Sequence, residues 1–356
     1  MINYTRFSAE GGLFACANSG FGFVSHFEEL FKDYPTLYLV KGGSGTGKSS
    51  FMKRVWREAI KRDLPTLPIL CSSDPSSFDG LLLPTLGIAL ADATSPHLID
   101  PLLPGAREDL IDTGRFWNAD ILKKHKTELE TLSKQKKELY RKVYLLLEGG
   151  KNVALCSQDI AKELLIEERV DRVLSGWQKK AGAQTGKIRS LFDRALSMQG
   201  ALLSDALLSK AQRIYTLQPT SFGGELLLIK KLFLKVQEKK QSCILLSDPL
   251  TLCPAALYFE ESGVLFRCGE AEGSEKEKII DPRRLFDRPS KKQKERSKQY
   301  REAEGILTKE ALSLLSDIKI LHLQMEQIYG RAMDFSALEE AECAFIERLF
   351  KDRPPV

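Results

Sequence analysis

Leu37-Tyr38-Leu39-Val40-Lys41-Gly42-Gly43-Ser44-Gly45-Thr46-Gly47-Lys48-Ser49-Ser50 is the stretch whose reading decides the fold. The apolar run Leu37 to Val40 reads as a strand. Gly42 to Gly47 reads as a loop, and Ser50 to Ile60 as an amphipathic helix that begins near Gly47. Every fixed position of the phosphate-loop pattern G-x-x-x-x-G-K-[ST] is present, in the strand–loop–helix context it requires. The glycines let successive backbone N–H groups turn towards phosphate oxygens, and the start of the helix adds its unpaired N–H groups and positive dipole end. The candidate nucleotide contacts are therefore Gly42, Gly43, Ser44, Gly45, Thr46, Gly47, Lys48, Ser49 and Ser50. Lys48 is placed to reach the β- and γ-phosphates, and the Ser49 hydroxyl to ligate Mg2+.

At 356 residues the chain is long for a single core, which points to two domains. With 43% hydrophobic and 28% charged residues, it has the composition of a globular protein. No apolar run is long enough to span a membrane, and the first twenty residues do not read as a signal peptide. Seven scattered cysteines, never spaced C-x-x-C, read as reduced thiols of a cytoplasmic protein. The lysine-rich stretches Lys123 to Lys142 and Lys291 to Lys298 lack interleaved aromatics. They read as solvated helix faces rather than a nucleic-acid footprint.

Beyond the loop, Ile69 to Cys71 is a short strand leading to Ser72-Ser73-Asp74-Pro75, and Gly87 to Asp92 is an apolar strand ending in a carboxylate. Phe116 to Glu148 lacks proline and glycine, and Leu122, Leu129, Leu132, Leu139, Val143 and Leu146 fall on alternating three- and four-residue steps, with His125 and Lys136 at two intervening places. Gly149 to Asn152 then reads as a turn and Ile160 to Trp177 as a return helix, together an antiparallel hairpin. After Gly182 to Gly186 the pattern starts again. Ile214 to Leu227 aligns on Leu37 to Ser50, Ser247-Asp248-Pro249 on Ser73-Asp74-Pro75, and Ile280-Asp281-Pro282 on Ile99-Asp100-Pro101. Such ordered matches half a chain apart indicate a duplication. The expected architecture is an α/β P-loop NTPase three-layer fold, tandemly duplicated, with long helical-hairpin insertions. A first domain spans 1–183 with its hairpin at about 116–180, and a degenerate second spans 184–356 with its hairpin at about 290–350.

In that alignment Gly42 becomes Pro219, Lys48 becomes Glu225, Ser49 becomes Leu226 and Asp92 becomes Cys268. A carboxylate at the phosphate-lysine position repels a triphosphate, so one half is expected to work and the other not. Asp92, lost together with Lys48 and Ser49, is the candidate magnesium carboxylate. Asp74 has a surviving partner in Asp248, which favours a turn role, with a second reading as the base that activates an acceptor hydroxyl. His97 reads as a surface-loop residue beside the Asp92 strand. Arg107, Arg115, Arg189 and Arg194 are all candidate phosphate contacts, and spacing does not select among them.

The loop, together with Cys71 to Pro75, Leu86 to Asp92 and His97 to Pro101, resembles a bacterial family of tandem P-loop ATPases. That family occurs chiefly in spore-forming and other Gram-positive lineages. The resemblance covers nearly the whole chain and implies ATP binding at Gly42 to Ser49 and a P-loop fold in both halves. Many members keep a glycine–lysine loop in the second half, and this sequence departs from them at Pro219, Glu225 and Leu226. The leading expectation is an ATP-binding protein with slow or partner-stimulated, Mg-dependent hydrolysis. The candidate catalytic residues are Lys48, Asp92 and Asp74, the metal ligands Ser49 and Asp92. The hairpins would meet a protein partner or a second copy. The alternatives are a small-molecule or nucleoside kinase and a nucleotide-dependent scaffold without turnover.

Overall fold

The structure, a computed structural model, describes residues 2, 4–8 and 10–351. It is mixed α/β, built on two six-stranded sheets. The first runs Leu13–Phe14, Leu67–Leu70, Phe78–Leu83, Ile88–Asp92, Thr36–Lys41, Glu108–Asp112 from edge to edge. The second runs Ile188–Leu191, Cys243–Ser247, Pro254–Phe259, Val264–Cys268, Arg213–Leu217, Glu277–Ile280. In each sheet the third strand runs antiparallel to its neighbours while the other pairings are parallel. The two orders correspond strand for strand. They meet at their first strands, where Phe14 and Phe192 exchange backbone N–H···O bonds of 2.9 and 2.8 Å.

Cys16–Ser19 and Gly22–Ser25 form a hairpin before a short helix at Phe27–Phe31. The expected turn at Gly149 to Asn152 does not form. Lys126–Leu164 is one helix of 39 residues that passes straight through both glycines. A glycine costs a helix interior only about 1 kcal/mol, and here its bare backbone admits a neighbour: a Cβ on Gly149 would stand 3.3 Å from Leu307. The neighbour is the 42-residue helix Lys291–Ala332, started by a capping box of Ser290 and Gln293. The two long helices pack on each other through Val143, Leu147, Ala311, Leu315 and Ile318, all buried. The expected seam is thus satisfied by the other half of the chain rather than by a return helix.

The return helices complete an exchange. Glu167–Lys180, from the first half, buries Val170, Leu174 and Trp177 in the core of the second sheet, with Trp177 against Phe266 at 5.6 Å. Phe335–Phe350, from the second half, lies on the helix Lys48–Ile60, where Phe345 meets Phe51 at 5.2 Å and Arg54 pairs with Glu339 at 2.7 Å. Each expected hairpin therefore packs on the opposite sheet unit. Among the described residues no helix is long and apolar enough to cross a membrane.

Candidate functional site

The strand Thr36–Lys41 delivers the loop to the N-terminus of helix Lys48–Ile60. Gly45 and Gly47 adopt φ of +71° and +88°, values that L side chains strain to reach. Gly47 is the helix N-cap and supplies no side-chain acceptor, so no capping side chain occupies the helix start. Thr46 ties the loop down, donating to the Gly43 carbonyl at 2.9 Å and meeting Thr113 Oγ1 at 2.9 Å. Lys48 Nζ donates back to the carbonyls of Gly43 (2.7 Å) and Gly42 (3.2 Å) and lies 3.6 Å from Asp92 Oδ2.

Asp92 ends its strand next to the loop strand, in register with Val40, and its Oδ1 accepts the Thr94 N–H at 2.8 Å. Burial pushes its carboxyl above the usual range, partly offset by Lys48. The Ser49 hydroxyl accepts the Phe78 N–H at 2.9 Å. Asp74 lines the same cleft, with its oxygens held by Ser76 (2.7 Å), Ser77 (2.9 Å) and Gln199 (2.7 Å). Burial raises its pKa, but these donors outweigh burial and hold it below the ordinary carboxylate range.

Sequence reasoning missed Asp79. It follows Phe78 at a register irregularity between the strands Leu67–Leu70 and Phe78–Leu83, where the chain turns its side chain towards the cleft. Its Oδ2 stands 3.1 Å from His97 Nε2. His97 is not the surface residue expected: it is 8% exposed, stacked on Phe27 at 4.7 Å, with Cys16 Sγ 3.5 Å from its other ring nitrogen. Burial disfavours its charge, yet the Asp79 carboxylate overrides this and carries its pKa up to about 10. The second sheet offers a contrast at Asp79. The corresponding irregularity of the second sheet falls between Leu246 and Ser247, which sets Ala255 at the place of Asp79.

The cleft measures ≈ 1030 Å³ and is walled by both halves of the chain. Ser44 to Ser50, Asp74, Asp92 and His97 line one side, and Lys136, Tyr140, His322, Glu326 and Phe335 the other. The second long helix roofs the loop: Cβ atoms on Gly43 and Gly45 would fall 2.7 Å from the Tyr329 ring and 2.9 Å from the Glu326 carbonyl. The bend that follows is held to the first half by Asn118 N–H···O Ala332 and Asp334 N–H···O Phe116, both 2.7 Å. None of the four candidate arginines lines this cleft. Arg107 donates to the carbonyls of Phe31 and Tyr34, Arg189 pairs with Glu260, and Arg194 pairs with Asp193.

The equivalent loop in the second half corrects the sequence alignment by one residue. Leu217 and Cys268 pair as Val40 and Asp92 do, while the helix N-cap is Gly223, with φ +71°. This loop is one residue shorter. Gly224 therefore replaces Lys48, and Glu225 replaces Ser49. Glu225, 2% exposed, turns its carboxylate back into the loop, where Oε2 accepts from the N–H and hydroxyl of Thr220, each at 2.9 Å. Burial raises its pKa.

Compared with protein-family models, with curated proteins and with solved structures, the chain matches none.

Proposed function

We propose that the chain is a tandemly duplicated P-loop NTPase, akin to the bacterial tandem ATPases it resembles. Its N-terminal half binds Mg-ATP in the cytoplasm and hydrolyses it slowly or when stimulated by a partner. The observation that carries this reading is the one-sided charge. Lys48, Ser49, Asp79 and Asp92 surround one loop, whereas Gly224, Glu225, Ala255 and Cys268 stand at the equivalent places around the other.

The donor chemistry fits magnesium. Ser49 and Asp92 would hold the ion, with the Asp79 carboxylate, whose Oδ2 faces His97, near. Among the described residues no cluster of three or more His, Cys, Asp or Glu side chains could hold a metal. Magnesium sites commonly need only one or two carboxylates plus substrate phosphate. Bound magnesium would withdraw charge from the phosphate oxygens. The loop N–H groups bind and orient the triphosphate, and Lys48, now held by two carbonyls, exchanges them for phosphate oxygens. As a water oxygen bonds to the terminal phosphorus, the bond to the bridging oxygen breaks, giving ADP, phosphate and a proton. A kinase reading is weakened by Asp74, because a carboxylate stabilised in its charged form by three donors is a poor base.

The test is ATP turnover by wild type, Lys48→Ala and Asp92→Ala, with and without nucleic acid and a panel of metabolites. Phosphate release lost in both variants supports hydrolysis. Label passing from ATP to a metabolite with little phosphate release supports the kinase, and binding without turnover supports the scaffold.

A further inference from the structure

The basic side chains that line the cleft are Lys48 and Lys53 from the loop helix, His97, Lys136 and Lys137 from the first long helix, and His322 from the second. Lys48 and His97 face Asp92 and Asp79. Lys53 is committed to the Ser76 carbonyl and lies over the Phe78 ring at 5.3 Å, and Lys137 is exposed. Lys136 differs from all of these. It is half-buried, burial lowers its pKa, and among the described residues it forms no ion pair with a carboxylate.

Its hydrogen-bond partner is His322 Nδ1, at 3.2 Å. An ammonium can only donate, so Nδ1 accepts and the ring proton sits on Nε2, which faces Glu326 Oε1 at 3.3 Å. The backbone of Glu326 in turn packs on Gly45 of the phosphate loop. A row of Lys136, His322 and Glu326 thus runs from the first long helix, across the second, to the loop.

The second half supplies an internal comparison. Lys136 and Glu304 stand equally far from the C-termini of their helices, at Leu164 and Ala332. By the same count Ala154 replaces His322 and Gln158 replaces Glu326, and Gln158 indeed packs beside the second loop, near Gly223. By this count the first long helix carries a lysine where the second carries a carboxylate.

We infer that Lys136 is a second ammonium for the terminal phosphate of the nucleotide, brought to the loop by the helix roof, with His322 and Glu326 as the residues that position it. This rests on the nucleotide reading above and assigns the role that none of the four candidate arginines is placed to fill. Lys136 is a ligand contact for the γ-phosphate, so ATP gains from it and ADP does not.

The experiment is calorimetric titration of the full chain with Mg-ATP and Mg-ADP, for wild type, Lys136→Met, Lys136→Arg, His322→Leu, Lys48→Ala and, as a control, Lys134→Met, which is exposed on the same helix and outside the cleft lining, with melting temperatures measured in parallel. Lys136→Met is expected to weaken ATP roughly tenfold or more, the scale of a charged hydrogen bond, and to leave ADP within about twofold. Lys136→Arg should restore most of the difference. His322→Leu should lose ATP affinity selectively, which a merely structural residue would not do, and Lys134→Met should change neither. Equal weakening of ATP and ADP, or no change in either while Lys48→Ala abolishes both, overturns the role of Lys136 and leaves the nucleotide site standing. Undiminished ATP binding by Lys48→Ala would instead remove the site itself.

Discussion

Asp79 and His97 form a buried ion pair under the cleft, and their chemistry makes a pH-dependent prediction. The His97 pKa rises from 6.5 to about 10 on folding, because the Asp79 carboxylate outweighs the burial that opposes charge. Between those values the native state holds a proton that the unfolded chain has released. The stability from this pair is therefore full below pH 6.5 and lost as the pH rises towards 10. In His97→Gln, the loss of stability relative to wild type should be largest near pH 6 and shrink towards pH 10, in urea unfolding at a series of pH values. A constant difference across that range would contradict the assignment. The residues of the site divide by how they are placed. Lys48 and Ser49 sit in one contiguous motif and Asp92 at the end of an apolar strand, so all three are readable from neighbouring letters. Asp79 is aimed by a strand irregularity and His322 by a helix from the other half, and nothing local to either position signals a role.

At the scale of elements, the long helices were legible in their apolar spacing and misread at Gly149-Gly150. Local propensity favours a break there, but the approach of a second helix decides the outcome. A Cβ on Gly150 would meet Thr308 Oγ1 at 3.5 Å and Leu250 at 3.6 Å, ordinary contact distances. Gly150→Ala should therefore stabilise the protein by up to about 1 kcal/mol, the helix propensity difference. Gly45→Ala should do the reverse, since its Cβ would press on the Glu326 backbone at 2.9–3.0 Å from a backbone at φ +71°. Thermal melts of the two variants separate these outcomes. The docking of Phe335–Phe350 on the loop helix carries its own pH dependence. Burial raises Glu342 from 4.5 to about 7, with Arg54 opposing and Glu339 adding to the shift. Stability from this group is full below pH 4.5 and lost as the pH rises through 7. Glu342→Gln should melt above wild type at pH 8 and level with it near pH 4, and an equal offset at both would argue against burial as the cause.

Across the whole molecule, the ordered sequence matches half a chain apart pointed to a repeat but gave no sign of the exchange of helices between the two sheets. Periodicity tells which residues of a helix are apolar but not which half of the chain covers them. The consequence is that each half lacks a complete core without the other: Leu174 and Trp177 are buried with the second sheet, Phe345 and Phe350 against the first. Residues 1–183 produced alone should bind ATP far more weakly than the full chain and self-associate, and co-production with residues 184–356 should restore a one-to-one complex with ATP binding. An isolated 1–183 that is monomeric and fully competent would show the exchange to be dispensable. The central claim is a single magnesium–triphosphate site in a chain with two loops, and calorimetric stoichiometry tests it most directly. A single ATP per chain, lost in Lys48→Ala, is the predicted result. Two ATP molecules per chain, or one that survives Lys48→Ala, would contradict it.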